Sequence, residues 1–193
     1  IDSAGIDLNP IAYLISRTKL RALEADQQAL DDELSEFTNL IEHRLNHPKL
    51  RKQQRLDNFV DGSGQQLELD IERLTEVLPE YNREYLESWF ENDTLKEVCA
   101  ILDAINDVEN ETAADILRIS LSNIIRKVSL QNESQLRVNR LDSAPRDVDV
   151  LNEFLREINK RRKALQNYDQ FKYDLDIGGG EYNLVQGDSR ELS

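Results

Sequence analysis

Two aspartates that follow glycine-bearing apolar segments are the residues of this chain best suited to chemistry. Asp7 closes the segment Ser3-Ala4-Gly5-Ile6 and is followed at once by Leu8, Asn9 and Pro10. Asp188 follows Leu184-Val185-Gln186-Gly187 near the other end of the sequence. Each reads as an acid at the carboxyl end of a short strand. In a doubly wound sheet such strand ends face the ligand crevice. A carboxylate placed there accepts hydrogen bonds from sugar hydroxyls or from an exocyclic adenine amine. Either acid alone is as well explained as a cap for the helix that follows it. The pair, in this order, favours ligand binding by Asp7 and Asp188.

Other groups with chemical potential read more plainly as structure. The triplet Gly178-Gly179-Gly180 would suit a phosphate where glycines join a strand to a helix. Here it precedes a strand and reads as a flexible re-entry loop. His43 and His47 stand four apart on a helical stretch, a spacing that suits zinc, but no third ligand accompanies them. They read as solvated histidines at a helix end, and no metal is expected. Cys99, the single cysteine, lies among Val98, Ile101 and Leu102 and reads as a core residue. One cysteine excludes an internal disulfide and makes the cytoplasm the default location.

The two aspartates need elements to hold them. Residues 3–8 read as a buried strand and residues 182–186 as a second. Asn9 is a good helix cap, and Pro10 sits at the first helical position, where its missing N–H costs nothing. From there apolar residues recur at three- and four-residue steps through Ile11, Leu14, Ile15, Ala22, Leu30, Leu34, Phe37, Ile41 and Leu45. That spacing predicts one helix of about 35 residues, with room for one break, long enough to project as an arm. Residues 49–66 are polar, with a turn at 61–64. A short helix is expected over 67–78 and an aromatic one over 81–90, bearing Tyr85, Trp89 and Phe90. Asp93 or Thr94 should cap a helix that runs to about residue 108, where Asn110 breaks it. Its hairpin partner should cover residues 112–130. Residues 137–144 read as irregular, and Pro145 or Asp147 as the opening of a last long helix. Val148, Leu151, Leu155, Ile158, Leu165 and Tyr168 form its apolar stripe. The expected fold class is mainly α. Long antiparallel helices and a helical hairpin sit between two parallel strands of a Rossmann-like sheet. Residues 22–45 should pack against residues 148–168, with the hairpin at the far end, anchored by Trp89 and Phe90.

Charge is unevenly distributed over the 193 residues, whose formal net charge is −14. Residues 67–115 hold 15 acids against 3 bases, and residues 116–172 hold 12 bases against 7 acids. The total excludes a surface that is a nucleic-acid platform throughout. The basic part leaves room for a local one, and its densest run is Arg156-Glu157-Ile158-Asn159-Lys160-Arg161-Arg162-Lys163. No apolar run reaches the length of a membrane span, and no signal peptide is visible. The sequence starts inside a strand without Met and stops where a helix would begin, so it reads as a piece of a longer protein.

The two acidic segments resemble a known family. Gly5-Ile6-Asp7-Leu8-Asn9-Pro10-Ile11-Ala12-Tyr13-Leu14-Ile15 resembles the second conserved segment of S-adenosylmethionine-dependent DNA amino-methyltransferases, the adenine-N6 and cytosine-N4 group. Gly187-Asp188-Ser189-Arg190-Glu191-Leu192 resembles the third. Ser122-Asn123-Ile124-Ile125-Arg126-Lys127-Val128-Ser129 is similar, less specifically, to the helical insertion of bacterial DNA methylases. The resemblance implies that Asp7 holds the ribose hydroxyls of S-adenosylmethionine and that Asp188 contacts its adenine amine. It implies transfer of a methyl group to an exocyclic base amine of DNA, the chemistry of DNA methylation and of restriction-modification. The glycine-rich motif for the methionine end of the cofactor would precede Ile1. The Asp/Ser-Pro-Pro-Tyr motif that holds the target amine would follow Ser193. No catalytic residue is therefore expected in this chain. Residues 1–20 and 175–193 would be parts of the methyltransferase core, and residues 21–174 a helical insertion for target recognition or docking.

In such an enzyme the insertion is one place for a DNA-reading surface. Arg126, Lys127, Arg137 and Arg140 are candidates to hold phosphates or read guanine edges. A solvated, salt-bridged face that offsets the acidic block is the favoured reading of the same residues. Two further readings are an arm that docks a protein partner through its long helices, and an enzyme acting on RNA or a small molecule instead of DNA. No membrane partner is expected.

Overall fold

Asn9 turns the first strand into a helix in one step. Its side-chain Oδ1 accepts the backbone N–H groups of Ile11 at 2.9 Å and Ala12 at 3.4 Å, and Pro10 supplies the preset first helical residue. The computed structural model describes residues 3–45, 83–132, 139–141, 148–174, 181–188 and 190. Within them the elements follow in the order β1 (Ser3–Asp7), α1 (Pro10–Glu24), α2 (Gln27–Leu45), α3 (Arg83–Glu87), α4 (Asn92–Asn106), α5 (Glu111–Val128), α6 (Val150–Asp174) and β2 (Tyr182–Gln186). The protein is mainly helical, with one small parallel sheet.

The long N-terminal helix breaks once. Ala25 is extended, at φ −67° and ψ 154°. Asp26 Oδ1 then accepts the N–H groups of Gln28 at 3.0 Å and Ala29 at 3.1 Å and starts α2. An aspartate after an extended residue satisfies the orphan donors of a new helix better than it continues the old one. The aromatic helix is shorter than expected, ending at Glu87. α4 is preceded by Glu91, whose side chain makes no capping bond, so neither Asp93 nor Thr94 is the cap. Asn110 does more than break the chain: its Oδ1 accepts from Thr112 and Ala113 and caps α5. α6 begins at Val150 with Asp149 accepting from Asn152 at 2.9 Å. The expected helix at 67–78, the glycine triplet, His47, Pro145 and Asp147 lie outside the described residues.

The core is built from α2, α4, α5 and α6. α2 and α6 run antiparallel: Asp31 meets Arg162, and further along Phe37 meets Phe154 edge-on, ring centroids 6.3 Å apart. Leu30, Leu34, Phe37, Leu151 and Ile158 are buried there, as expected. The α6 stripe read from the sequence omitted Phe154, which is fully buried at its centre. The expected distal position of the hairpin is not what forms. α5 lies centrally, against α1 as well as α6, burying Ala113, Ala114, Ile116, Leu117, Leu121 and Ile124. A helix that is small or apolar around most of its circumference can satisfy that surface only from inside a bundle. Trp89 and Phe90 do anchor its end. The Trp89 carbonyl accepts the Leu130 N–H at 2.8 Å, and Phe90 is buried.

β1 and β2 are parallel neighbours, with Ser3 opposite Tyr182 and Asp7 opposite Gln186. Gly5 lies opposite Leu184, and a Cβ there would come within 3.1 Å of Leu184 Cδ1. β1 is not the buried strand that its composition suggests. Ala4 and Gly5 are exposed, and Leu8 and Val185 keep 66% and 42% of their surface. α1 packs against both strands, but parallel strands are normally covered on both faces.

Candidate functional site

The sheet brings the two sequence-marked acids to one edge. The Gly187 N–H donates to the Asp7 carbonyl at 3.1 Å, and Asp188 lies two residues beyond Gln186, the register partner of Asp7. Both carboxylates therefore stand at the carboxyl ends of adjacent parallel strands, where the chain turns outward.

They are held differently. Asp7 Oδ1 accepts the Asn9 N–H at 2.9 Å, a local turn that leads into the α1 cap. Asp7 Oδ2 has no hydrogen bond among the described residues. Asp7 is half-buried, while Leu8 and Ile11 beside it are exposed apolar side chains, Ile11 at 55%. An open carboxylate oxygen bordered by apolar surface can take a hydroxyl while a flat ring lies on the neighbouring side chains. Asp188 is instead engaged by Arg190. Its Oδ1 accepts the Arg190 backbone N–H and Nε, both at 2.9 Å, and its Oδ2 pairs with Arg190 Nη2. These bonds hold the Asp188 carboxyl below the usual carboxylate range, so it is an anion at neutral pH. The Arg190 side chain is 84% exposed, so a ligand can displace it at little cost. Sequence reasoning missed Arg190. The acid–x–arginine spacing was its only signal.

The basic candidates of the insertion are only partly assembled. Arg126 and Lys127 lie in the last turn of α5. Lys127 Nζ is 2.6 Å from Glu153 Oε2 on α6. Arg140 is exposed and bridges antiparallel to Gln131, a few residues past the end of α5. Arg137 lies outside the described residues. The apolar stripe of α2, offered above as a docking surface, is buried within the bundle, so a docking arm would need a different face.

The remaining groups are structural. Cys99 is fully buried, and burial pushes its thiol up to about 11, far from a thiolate at neutral pH. Asp115, 1% exposed, is held by Arg17 Nε and Nη2 at 3.0 and 2.7 Å and by Arg118 Nη1 at 3.2 Å. It ties α1 to α5. Arg21 and Glu111 repeat the link at 2.6 Å. Among the described residues no group of three His, Cys, Asp or Glu is placed to hold a metal ion. No described helix is long and apolar enough to cross a membrane. Compared with protein-family models, with curated proteins and with solved structures, this chain finds no match.

Proposed function

We propose that the chain is part of an S-adenosylmethionine-dependent DNA amino-methyltransferase, in which Asp7 binds the cofactor's ribose and Asp188 its adenine amine. The observation that carries this reading is the meeting of the two acids at the carboxyl edge of one parallel strand pair, joined by the Gly187–Asp7 hydrogen bond. The residues fit such a ligand. Asp7 Oδ2 accepts no hydrogen bond among the described residues, and the exposed Leu8 and Ile11 offer apolar surface on the same turn. Asp188 is an anion whose present partner, Arg190, is solvent-exposed and replaceable. The bound cofactor supplies the methyl group. The chain's own part is to position it, since two carboxylates on a hydrogen-bonded sheet fix ribose and base relative to each other. The sheet also supports the proposal through its exposed Leu8 and Val185. In a doubly wound fold further strands and helices cover such residues. The helices from α2 to α6 are then an insertion between the second and third strands, and DNA is their proposed contact.

Calorimetric titration of the complete enzyme with S-adenosylmethionine tests the assignment. Asp7→Ala and Asp188→Ala should each weaken binding by roughly ten- to a hundredfold, the loss of one charge-assisted hydrogen bond. Unchanged affinity in both variants would refute it.

A further inference from the structure

Acids outnumber bases 38 to 24 in this chain, yet from residue 152 to residue 167 one face of its longest described helix carries none, the next acid on that face being Asp174 at the helix end. Along α6, Asn152, Arg156, Asn159, Lys160, Lys163 and Asn167 fall on one stripe at helical spacing, and all six are exposed. The acids of that part of the helix, Glu153 and Glu157, sit on the flank toward α5 and are largely covered. Glu153 accepts Lys127 at 2.6 Å and Arg156 at 3.0 Å, and Glu157 accepts Asn123 Nδ2 at 3.2 Å. Arg161 and Arg162, from the same run, are turned inward, to Ser120 at 3.1 Å and to Asp31 at 2.6 Å. The run that looks uniformly basic in sequence is therefore sorted by the fold into internal struts and an outward face of cations and amides. That face forms one wall of an open groove of about 870 Å³ between α2 and α6, where Glu42 is the only acid among the described lining residues.

A solvated helix face normally mixes Glu with Lys at four-residue spacing. Asparagine is a poorer helix former than either; Asn152, in the first turn, donates Nδ2 to Asp149 Oδ2 at 2.7 Å, while Asn159 and Asn167 are exposed further along the helix, where they cost stability. Cations interleaved with amides are the side chains that contact phosphate and sugar oxygens. The stripe from 152 to 167 is about 23 Å long at 1.5 Å per residue, and a helix is of a width to lie in a major groove. Through Glu153 it is continuous with Lys127.

We propose that the outward face of α6 binds the phosphate backbone of duplex DNA, with Arg156, Lys160 and Lys163 as phosphate contacts and Asn152, Asn159 and Asn167 as hydrogen-bonding contacts to backbone and base edges. The choice of DNA over another polyanion rests on the function proposed above. The test is fluorescence anisotropy of a short labelled duplex with this chain, over a salt series, beside the triple variant Arg156→Gln, Lys160→Gln, Lys163→Gln. The parent should bind at low salt. The variant should lose roughly ten- to a hundredfold in affinity, and its log–log salt slope should shrink by about two to three. Its thermal melt should match the parent's, because all three side chains are exposed, and Lys163→Arg should retain binding. Three results overturn the proposal: no duplex binding by the parent, unchanged affinity and slope in the variant, or preference for a polyglutamate peptide over the duplex. Cofactor titration of the Asp7 and Asp188 variants separates the two readings. Loss of the DNA result with the cofactor result intact removes only the α6 face. The converse removes only the cofactor assignment.

Discussion

Aspartate–arginine pairs of similar form do opposite jobs in this molecule, and exposure decides which. Asp31 accepts Arg162 Nε and Nη2 at 2.6 Å each, with both side chains mostly covered between α2 and α6. Asp188 and Arg190 make the same kind of fork at the sheet edge, with the arginine in solvent. The first is a strut, and the second ties a sheet-edge acid to a solvent-exposed partner. The Arg162 guanidinium holds the Asp31 carboxyl below its ordinary value. A carboxylate depressed in the folded state stabilises the fold above its unfolded pKa of about 4, and that contribution disappears as pH falls through the lower folded value. Asp31→Asn should therefore be less stable than the parent near neutral pH, by about 1 kcal/mol for a partly screened pair. The gap should close below about pH 4. Chemical denaturation across that range checks this, and a gap that does not vary with pH would show that the pair contributes nothing through its charge.

At the scale of elements, caps set the boundaries and a single aromatic pair sets the packing of the long helices. Asp26 divides what would be one helix into α1 and α2. That division lets α1 follow the sheet while α2 turns to meet α6. Phe154, without exposed surface, meets Phe37 at an interplanar angle of 77°. Phe154→Ala should cost about 3–5 kcal/mol, the range for emptying a buried phenyl site. Asp26→Ala should cost about 1 kcal/mol, the value of one cap. Guanidinium unfolding of both variants measures the contrast. Comparable losses would mean that the break carries as much of the architecture as the core pair does.

Across the whole molecule, the packed helical core and the strand pair are set apart. The helical core is dense around α5, whereas the strand pair has two strands, covered by α1, with Leu8 and Val185 facing solvent. A parallel pair of this size is marginal without further cover. Amides of Ser3–Asp7 and Tyr182–Gln186 should exchange with solvent deuterium much faster than those of α5, through local opening that leaves the helices folded. Mass-spectrometric exchange reads this directly, and equal protection of strands and α5 would remove the argument that the sheet lacks partners. Charge is divided as well. The cations of residues 156–163 are sorted into inward ties and the outward stripe of α6, so a chain of net charge −14 can still present one cationic face.

Local chemistry made a good part of this protein legible in its sequence. The Asn9-Pro10 start, the apolar spacing of α2, the two short strands and the acids that end them all follow from rules that act over a few residues. Parallel pairing of the strands was also expected, because neighbouring strands of a doubly wound sheet are joined by a crossover. The middle position of α5 was not legible, since periodicity tells which face of a helix is apolar and not which neighbours will compete for it. Phe154 falls on the α6 stripe by spacing alone, three residues after Leu151 and four before Ile158, whereas the clamp of Arg190 on Asp188 is a side-chain contact that spacing does not show. The sorting of the α6 basic run went unseen for the same reason. Which arginine turns inward is decided by where Asp31 and Ser120 arrive from elsewhere in the chain, and only tertiary packing brings them there.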